Sequence, residues 1–237
     1  MIFAAGLGTR LKPLTDTMPK ALVPIAGKPL LQWQIEKLRA AGLTDIIVNV
    51  HHFPDQIIDF LQQNDSFDCH ITISDERDCL LDTGGGLRKA WTEDEPILAL
   101  NVDILSNIRL EDVLAAYDAA AAGLLVVSER ETQRYLCFDE LQQLVGWTNV
   151  KSGEVRLQDG GHLAFSGMQV LSPVMRQYLA KMPADKFSLI DLYLAACEHV
   201  SLRAFVPANY RMMDVGKIDY LAEANAFAQS FLQGGVL

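Results

Sequence analysis

The 237-residue sequence carries little that would staple, anchor or metallate it. Its four cysteines, Cys69, Cys79, Cys137 and Cys197, are scattered with no C-x-x-C pair. They are expected to be reduced thiols that fill the core. Its five histidines, His51, His52, His70, His162 and His199, show no H-E-x-x-H or comparable zinc spacing. No apolar run approaches the ~18–20 residues of a membrane span. The opening Met1-Ile2-Phe3-Ala4-Ala5-Gly6 lacks the basic stretch and long apolar core of a secretory signal. A cytoplasmic chain with no membrane partner is therefore expected. Cations are also scarce, with 20 Lys and Arg against 30 Asp and Glu and a formal net charge of −10. Such a balance argues against general binding of polyanions such as nucleic acid. Repeats, low-complexity tracts and Pro/Ser linkers are missing too.

What is present reads as one globular domain over residues 1–237. Half the residues are apolar and 21% are charged, which sets aside disorder, collagen and coiled coil. A chain of this length buries roughly 70–75% of its unfolded surface without staples. Helix and strand patterns alternate. Residues 1–5 form a short apolar run into Gly6. Leu31, Ile35 and Leu38 mark a helix over 30–41, closed by Gly42. Strands follow at 45–50, 69–74, 97–102 and 124–127. Helices are expected from Pro54, over 85–91 and over 111–122. From 129 to 165 the pattern changes to short strands with turn signals, at 135–138, 144–147, 155–157 and 162–165. A strand at 168–171, helices at 173–181 and 188–198, a strand at 201–206, and a closing helix over 217–232 complete the chain. The expected fold class is α/β, with a mixed, mostly parallel sheet and a small antiparallel excursion. The first strand has only five residues before Gly6, fewer than is usual for a central strand. Either the native start lies a few residues upstream or the strand is short.

The segment after that strand, Gly6-Leu-Gly-Thr-Arg-Leu-Lys-Pro-Leu-Thr15, sits where open α/β sheets bind ligands. Glycines let backbone N–H groups approach a phosphate, and Arg10 and Lys20 supply cations. Leu11 occupies the third glycine position of the dinucleotide fingerprint, and there is no G-K-[ST]. A tight strand-to-helix turn with solvated cations is the alternative on spacing alone.

The longer string Phe3-Ala-Ala-Gly-Leu-Gly-Thr-Arg-Leu11, with Pro13-Leu-Thr15 and Pro19-Lys20, resembles the signature of the sugar-1-phosphate nucleotidylyltransferases. Ala21 stands where that family usually has Pro. The resemblance continues through Asp82-Thr-Gly-Gly-Gly86, Asn101-Val-Asp103, Phe165-Ser-Gly167 and Asp214-Val-Gly216, and spans residues 2 to about 225. Asp82 shortens the family's usual Glu, and Val102 replaces its Gly. Within the family, Ser74-Asp-Glu-Arg77 with Leu81–Gly86, and Arg134–Asp139 with Val145-Gly-Trp147, look most like small bacterial enzymes. Those are the N-acetylmuramate-1-phosphate uridylyltransferases of peptidoglycan recycling and relatives labelled mannose-1-phosphate guanylyltransferase.

The resemblance implies a Rossmann-like, GT-A-like, doubly wound fold and transfer of a nucleotidyl group from an NTP to a sugar 1-phosphate, with Mg2+. The implied catalytic residues are Arg10, on the β/γ-phosphates, and Lys20, between the α-phosphate and the sugar phosphate. Ala5, Gly6, Gly8, Thr9, Asp82, Thr83, Gly84 and Gly85 would bind the nucleotide. Asn101, Gly167 and Lys186 would meet the sugar phosphate, and Asp103 and Asp214 would hold the metal. UTP with N-acetylmuramate 1-phosphate is the expected pair. GTP with mannose or heptose 1-phosphate is the rival pair, and a catalytically silent nucleotide-sugar sensor is the rival class. A phosphate oxygen is already ionised, so the reaction needs positioning and charge neutralisation and no general base. His51 and His52 rank low as ligands, and Trp33, Trp91 and Trp147 read as packing.

Overall fold

A computed structural model describes residues 1–234. Its strands are β1 (Ile2–Phe3), β2 (Pro24–Ile25), β3 (Lys28–Pro29), β4 (Asp45–Val50), β5 (His70–Asp75), β6 (Ile97–Asn101), β7 (Ile104–Ser106), β8 (Gly123–Ser128), β9 (Arg134–Phe138), β10 (Leu144–Asn149), β11 (Glu154–Leu157), β12 (Gly161–Leu171), β13 (Leu202–Phe205) and β14 (Met212–Asp214). Its helices are α1 (Leu30–Ala40), α2 (Pro54–Gln63), α3 (Asp82–Ala90), α4 (Leu110–Ala116), α5 (Met175–Lys181), α6 (Leu189–Ala196) and α7 (Leu221–Gly234). Among the described residues no helix is long and apolar enough to cross a membrane.

The chain forms two compact units. The first takes Met1–Asp82, Leu100–Leu110 and the chain from Arg211 onward. In it, β1 lies between β4 and the end of β6, all parallel, and β5 extends the sheet beside β4. Ile2 pairs with Val48 and Leu100, and all three are buried. Such strands read as continuous apolar runs because both faces are covered. The Leu31, Ile35 and Leu38 stripe of α1 is buried as its spacing predicts. The helix ends in a Schellman motif, with Gly42 at φ 78° and the Leu43 amide donating to the Leu38 carbonyl (3.0 Å). The loops leaving the carboxyl ends of β1, β4 and β5, together with the turn between β6 and β7, carry the chemistry described below.

The second unit takes Thr83–Ala99 and Glu111–Tyr210. Its core is an antiparallel ladder in the order β11, β10, β9, β12, β8, with β13 added parallel to β8.

Three sequence expectations change. The helix expected at 85–91 starts at Asp82, because three consecutive glycines continue the helix instead of forming a loop. Strands expected at 162–165 and 168–171 are one strand, β12, with a bulge between Phe165 and Gln169 where Gly167 has φ 71°. The helix expected over 111–122 ends at Ala116, and Asp118 organises a turn by accepting the Ala120 amide (2.9 Å). The cysteines do not all fill the core. Only Cys137 is buried, Cys79 is exposed, and Cys69 and Cys197 are half-buried.

Candidate functional site

The site in the first unit begins where β1 ends. Ala4 and Ala5 are buried, and both amides donate to the Asn49 side-chain oxygen (2.7 and 3.3 Å). Ala5, expected to bind the nucleotide, thus has its amide committed within the fold. Beyond it the chain becomes exposed at Gly6 and Leu7. Gly8 takes a left-handed conformation (φ 64°), and its carbonyl accepts from the Leu11 amide and the Thr15 hydroxyl (both 2.8 Å). A Cβ at Gly8 would lie 2.8 Å from Thr15 Cγ2, so both the dihedral and the packing demand glycine. Among the described residues the amides of Gly6, Leu7 and Gly8 donate no hydrogen bond. Exposed N–H groups beside a cation are what a phosphate requires. Thr9 and Arg10, both exposed, enter a short 3-10 turn.

The loop's cation partners come from distant segments. The Lys20 ammonium is hydrogen-bonded and ion-paired to Asp103 Oδ2, and both side chains are mostly buried, at 13% and 14% exposure. Asp103 lies in the turn between β6 and β7. The antiparallel ribbon of β7 and β14 places Asp214 opposite Ile104, and the Val215 amide donates to the Asp103 carbonyl (2.9 Å). Two carboxylates 111 residues apart in the chain thereby sit on adjoining rungs. Asp214 Oδ1 accepts the Gly216 amide (2.8 Å). A Cβ on Gly216 would be 2.6 Å from both Arg10 Nη2 and Asp214 Oδ1, which places the Arg10 guanidinium against this same turn. The fold thus brings together Arg10, Lys20, Asp103 and Asp214, with Asn101 at the end of β6 in register with Phe3. The carboxylate oxygens of Asp103 and Asp214 are hard donors suited to a divalent cation such as Mg2+.

Sequence reasoning missed the residues that hold this loop in place. Asn49 and Glu76 are 3% and 1% exposed. Asn49 Nδ2 donates to Glu76 Oε1 (2.7 Å), and the Leu81 amide donates to Glu76 Oε2 (3.1 Å). One buried pair therefore ties the glycine loop to the segment leading into α3. The signal available was Asn49 inside an otherwise apolar strand, since buried polar groups are nearly always hydrogen-bonded. His51 Nδ1–H donates to the Glu76 carbonyl (2.7 Å), and His52 Nε2–H donates to the Thr15 carbonyl (3.0 Å). Both rings brace loops.

Asp82 closes the first unit's leading segment at φ 61° and opens α3. In the second unit the Gly84 and Gly85 amides, expected on the nucleotide, donate to the Phe187 carbonyl (2.9 and 3.2 Å). A Cβ on Gly84 would strike the Phe187 ring, so Gly84 serves close packing. The Thr83 hydroxyl accepts the Leu189 amide (3.0 Å). Gly167 is buried in the β12 bulge. Lys186 is exposed, two residues before a capping box formed by Ser188 and Asp191.

Comparison with known proteins identifies the family of the chain. The nucleotidyl transferase family matches residues 1–136. N-acetylmuramate alpha-1-phosphate uridylyltransferase of Caulobacter vibrioides is 34% identical over 209 residues, covering 81% of each chain. Mannose-1-phosphate guanyltransferase of Gibberella zeae is 39% identical over 137 residues, 55% of this chain and 37% of that one. The crystal structure of HddC from Yersinia pseudotuberculosis shares the fold, with a TM-score of 0.76 at 24% identity over 96% of this chain and 97% of the other. The architecture is Rossmann-like and of GT-A type. The match over residues 1–136 takes in the glycine loop, Arg10, Lys20 and Asp103, and with the Caulobacter relative it establishes that the chain belongs to the nucleotidyl transferase family.

Proposed function

We propose that the chain catalyses nucleotidyl transfer from an NTP to a sugar 1-phosphate, with UTP and N-acetylmuramate 1-phosphate as the pair. The observation that carries this reading is the convergence of Arg10, Lys20, Asp103 and Asp214 on the exposed glycine loop. A phosphate oxygen of the sugar 1-phosphate attacks the α-phosphorus of the NTP. The bond to the β-phosphate oxygen breaks, and pyrophosphate leaves. Both reactants are anions, so the barrier is chiefly electrostatic. The amides of Gly6 to Gly8, with Thr9 beside them, cradle the triphosphate. Arg10 neutralises charge on the departing pyrophosphate. Lys20, held by Asp103, positions the α-phosphate and the incoming phosphate. Ala5, Gly84 and Gly85 act by shaping the nucleotide loops, since their amides are already committed to the fold. The family resemblance assigns Asp82 and Thr83 to the nucleoside, and Asn101, Gly167 and Lys186 to the sugar phosphate. Asp103 and Asp214 would hold Mg2+, whose donor preference they match and which supplies charge neutralisation at the phosphates when bound. A cytoplasmic setting fits four free thiols.

The uridylyl reading draws on the Caulobacter relative, which this chain covers over 81% of that protein's length. The guanylyl reading, with mannose 1-phosphate, draws on the mannose-1-phosphate guanyltransferases, of which the Kluyveromyces lactis enzyme is 37% identical over all of this chain and 63% of its own length. A matrix of NTPs against sugar 1-phosphates, read by Mg2+-dependent pyrophosphate release, separates them. The proposal expects UTP with N-acetylmuramate 1-phosphate to turn over fastest. Turnover only with GTP and mannose 1-phosphate would overturn the substrate pair, and no turnover with any pair would favour a sensor.

A further inference from the structure

The second unit contains a cluster of side chains that nucleotidyl transfer does not use. Cys137 on β9 and His162 on β12 are directly opposed across the antiparallel ladder. Side chains so paired stand on one face of a sheet, with Cβ atoms about 4.5–5.5 Å apart. Asp159 enters from the turn just before β12. Its Oδ1 accepts from the Cys137 thiol (Sγ···Oδ1 3.5 Å) and from His162 Nε2–H (2.7 Å). The donor atoms of all three residues lie within 4.8 Å of one another. The surroundings fix them in place. The His162 ring stacks on Tyr135 with centroids 5.4 Å apart, and the Gly160 amide donates to Asp159 Oδ1 (3.0 Å).

We propose that Cys137, Asp159 and His162 form a binding site for a borderline-soft divalent cation, with Zn2+ as its ligand. Zinc takes thiolate, imidazole and carboxylate together, at about 2.0–2.3 Å, in a tetrahedron. Those bond lengths put donor atoms roughly 3.3–3.5 Å apart. The Cys137–Asp159 separation already matches, and the His162–Asp159 pair needs to open by about half an ångström. A solvent molecule fills the fourth position, reached through the exposed Asp159 and His162. The thiol excludes Mg2+, which demands hard oxygen ligands. Burial, then Asp159 beside it, pushes the Cys137 thiol up to about 12. A bound cation reverses that penalty by neutralising the charge that opposes the thiolate. By its ligands the site is separate from the carboxylates of Asp103 and Asp214.

The test uses the intact chain, stripped of metal and then kept in excess Mg2+. Zn2+ uptake is measured by titration calorimetry, and Co2+ is added as an optical probe. The proposal expects one Zn2+ per chain, a thiolate-to-cobalt charge-transfer band, and a rise in melting temperature with Zn2+. Cys137→Ser should abolish the band. His162→Ala should weaken Zn2+ binding more than tenfold, since even losses outside the ligand shell cost about 10–100-fold. A Co2+ complex of the unmodified protein without a thiolate band would overturn the site, independently of how any variant folds. Equal Zn2+ affinity in the unmodified chain and the Cys137→Ser/His162→Ala double variant would do the same.

Discussion

Glu76→Gln is the substitution that most sharply probes how the phosphate loop is held. Glu76 is 1% exposed and uses both carboxylate oxygens as acceptors, one from Asn49 Nδ2 and one from the Leu81 amide. Glutamine has the same shape but only one acceptor. If its NH2 faces Leu81, two donors meet and the segment leading into α3 loses its anchor. If its NH2 faces Asn49, the Asn49 amide must flip, and its oxygen then leaves the Ala4 and Ala5 amides. No arrangement satisfies all the donors. A hydrogen bond to a charged group contributes about 1.5–3 kcal/mol, and a stranded buried donor costs about 1–3 kcal/mol. Relief of carboxylate desolvation offsets part of this. A net loss of about 2 kcal/mol follows from these terms. At roughly 2–4 °C per kcal/mol for chains of this size, the melting temperature should fall by about 4–8 °C. Native-state hydrogen exchange reads the effect locally. Two kcal/mol is about a 30-fold change, so the Ala4, Ala5 and Leu81 amides should exchange about 30-fold faster. Because Glu76 positions the loop without touching phosphate, KM for the nucleotide should rise more than kcat falls. Exchange within threefold of the parent at these amides, together with an unchanged melting temperature, would refute the reasoning.

Gly8→Ala should destabilise the chain by at least ~1–2 kcal/mol, the cost of left-handed backbone for an L-residue, because its Cβ also presses on Thr15; urea denaturation checks it. Gly216→Ala should lower kcat about tenfold or more, since its Cβ would displace both the Arg10 guanidinium and Asp214 Oδ1; steady-state pyrophosphate release checks it. Asp191→Asn should change the acid limb of stability. Burial opposes the Asp191 charge, but hydrogen bonds from Ser188 and Arg156 outweigh it and hold the carboxyl below its usual range. A depressed folded-state value means the carboxylate stabilises above the unfolded value near ~3.9. That contribution fades as pH falls through the lower folded value. The variant should therefore be less stable at pH 7 by up to about 1 kcal/mol from the weakened cap, and the difference should shrink below pH 4; an unchanged difference at pH 2.5 would count against this assignment.

Periodicity served best where burial is simple. The parallel strands β4 and β6 and helix α1 appear within a residue or two of where apolar spacing and Gly42 place them. It failed where glycine has a tertiary reason. Gly84 to Gly86 read as a loop but lie in the first turns of α3, where the Phe187 ring packs against Gly84 and its carbonyl accepts the Gly84 and Gly85 amides. Ser166-Gly167 reads as a break but is a bulge within one strand. The candidate site was legible only through its motif string. Nothing in the spacing of Asp103 and Asp214 foretells that β7 and β14 would pair. Asn49 showed only as a polar residue inside an apolar strand, Glu76 left no periodic trace at a strand end, and Cys137 and His162 meet only through the register of β9 with β12.

In the proposed mechanism Lys20 and Asp103, neighbours in space but 83 residues apart, carry nucleotidyl transfer. Pyrophosphate release at saturating NTP and sugar 1-phosphate, compared between the unmodified chain and Lys20→Gln, tests it most directly. Removing one preorganised charge-stabilising group typically costs about 10²–10³ in kcat. Lys20→Gln should show a loss of that order with the fold intact by circular dichroism. A kcat within threefold of the unmodified chain would contradict it.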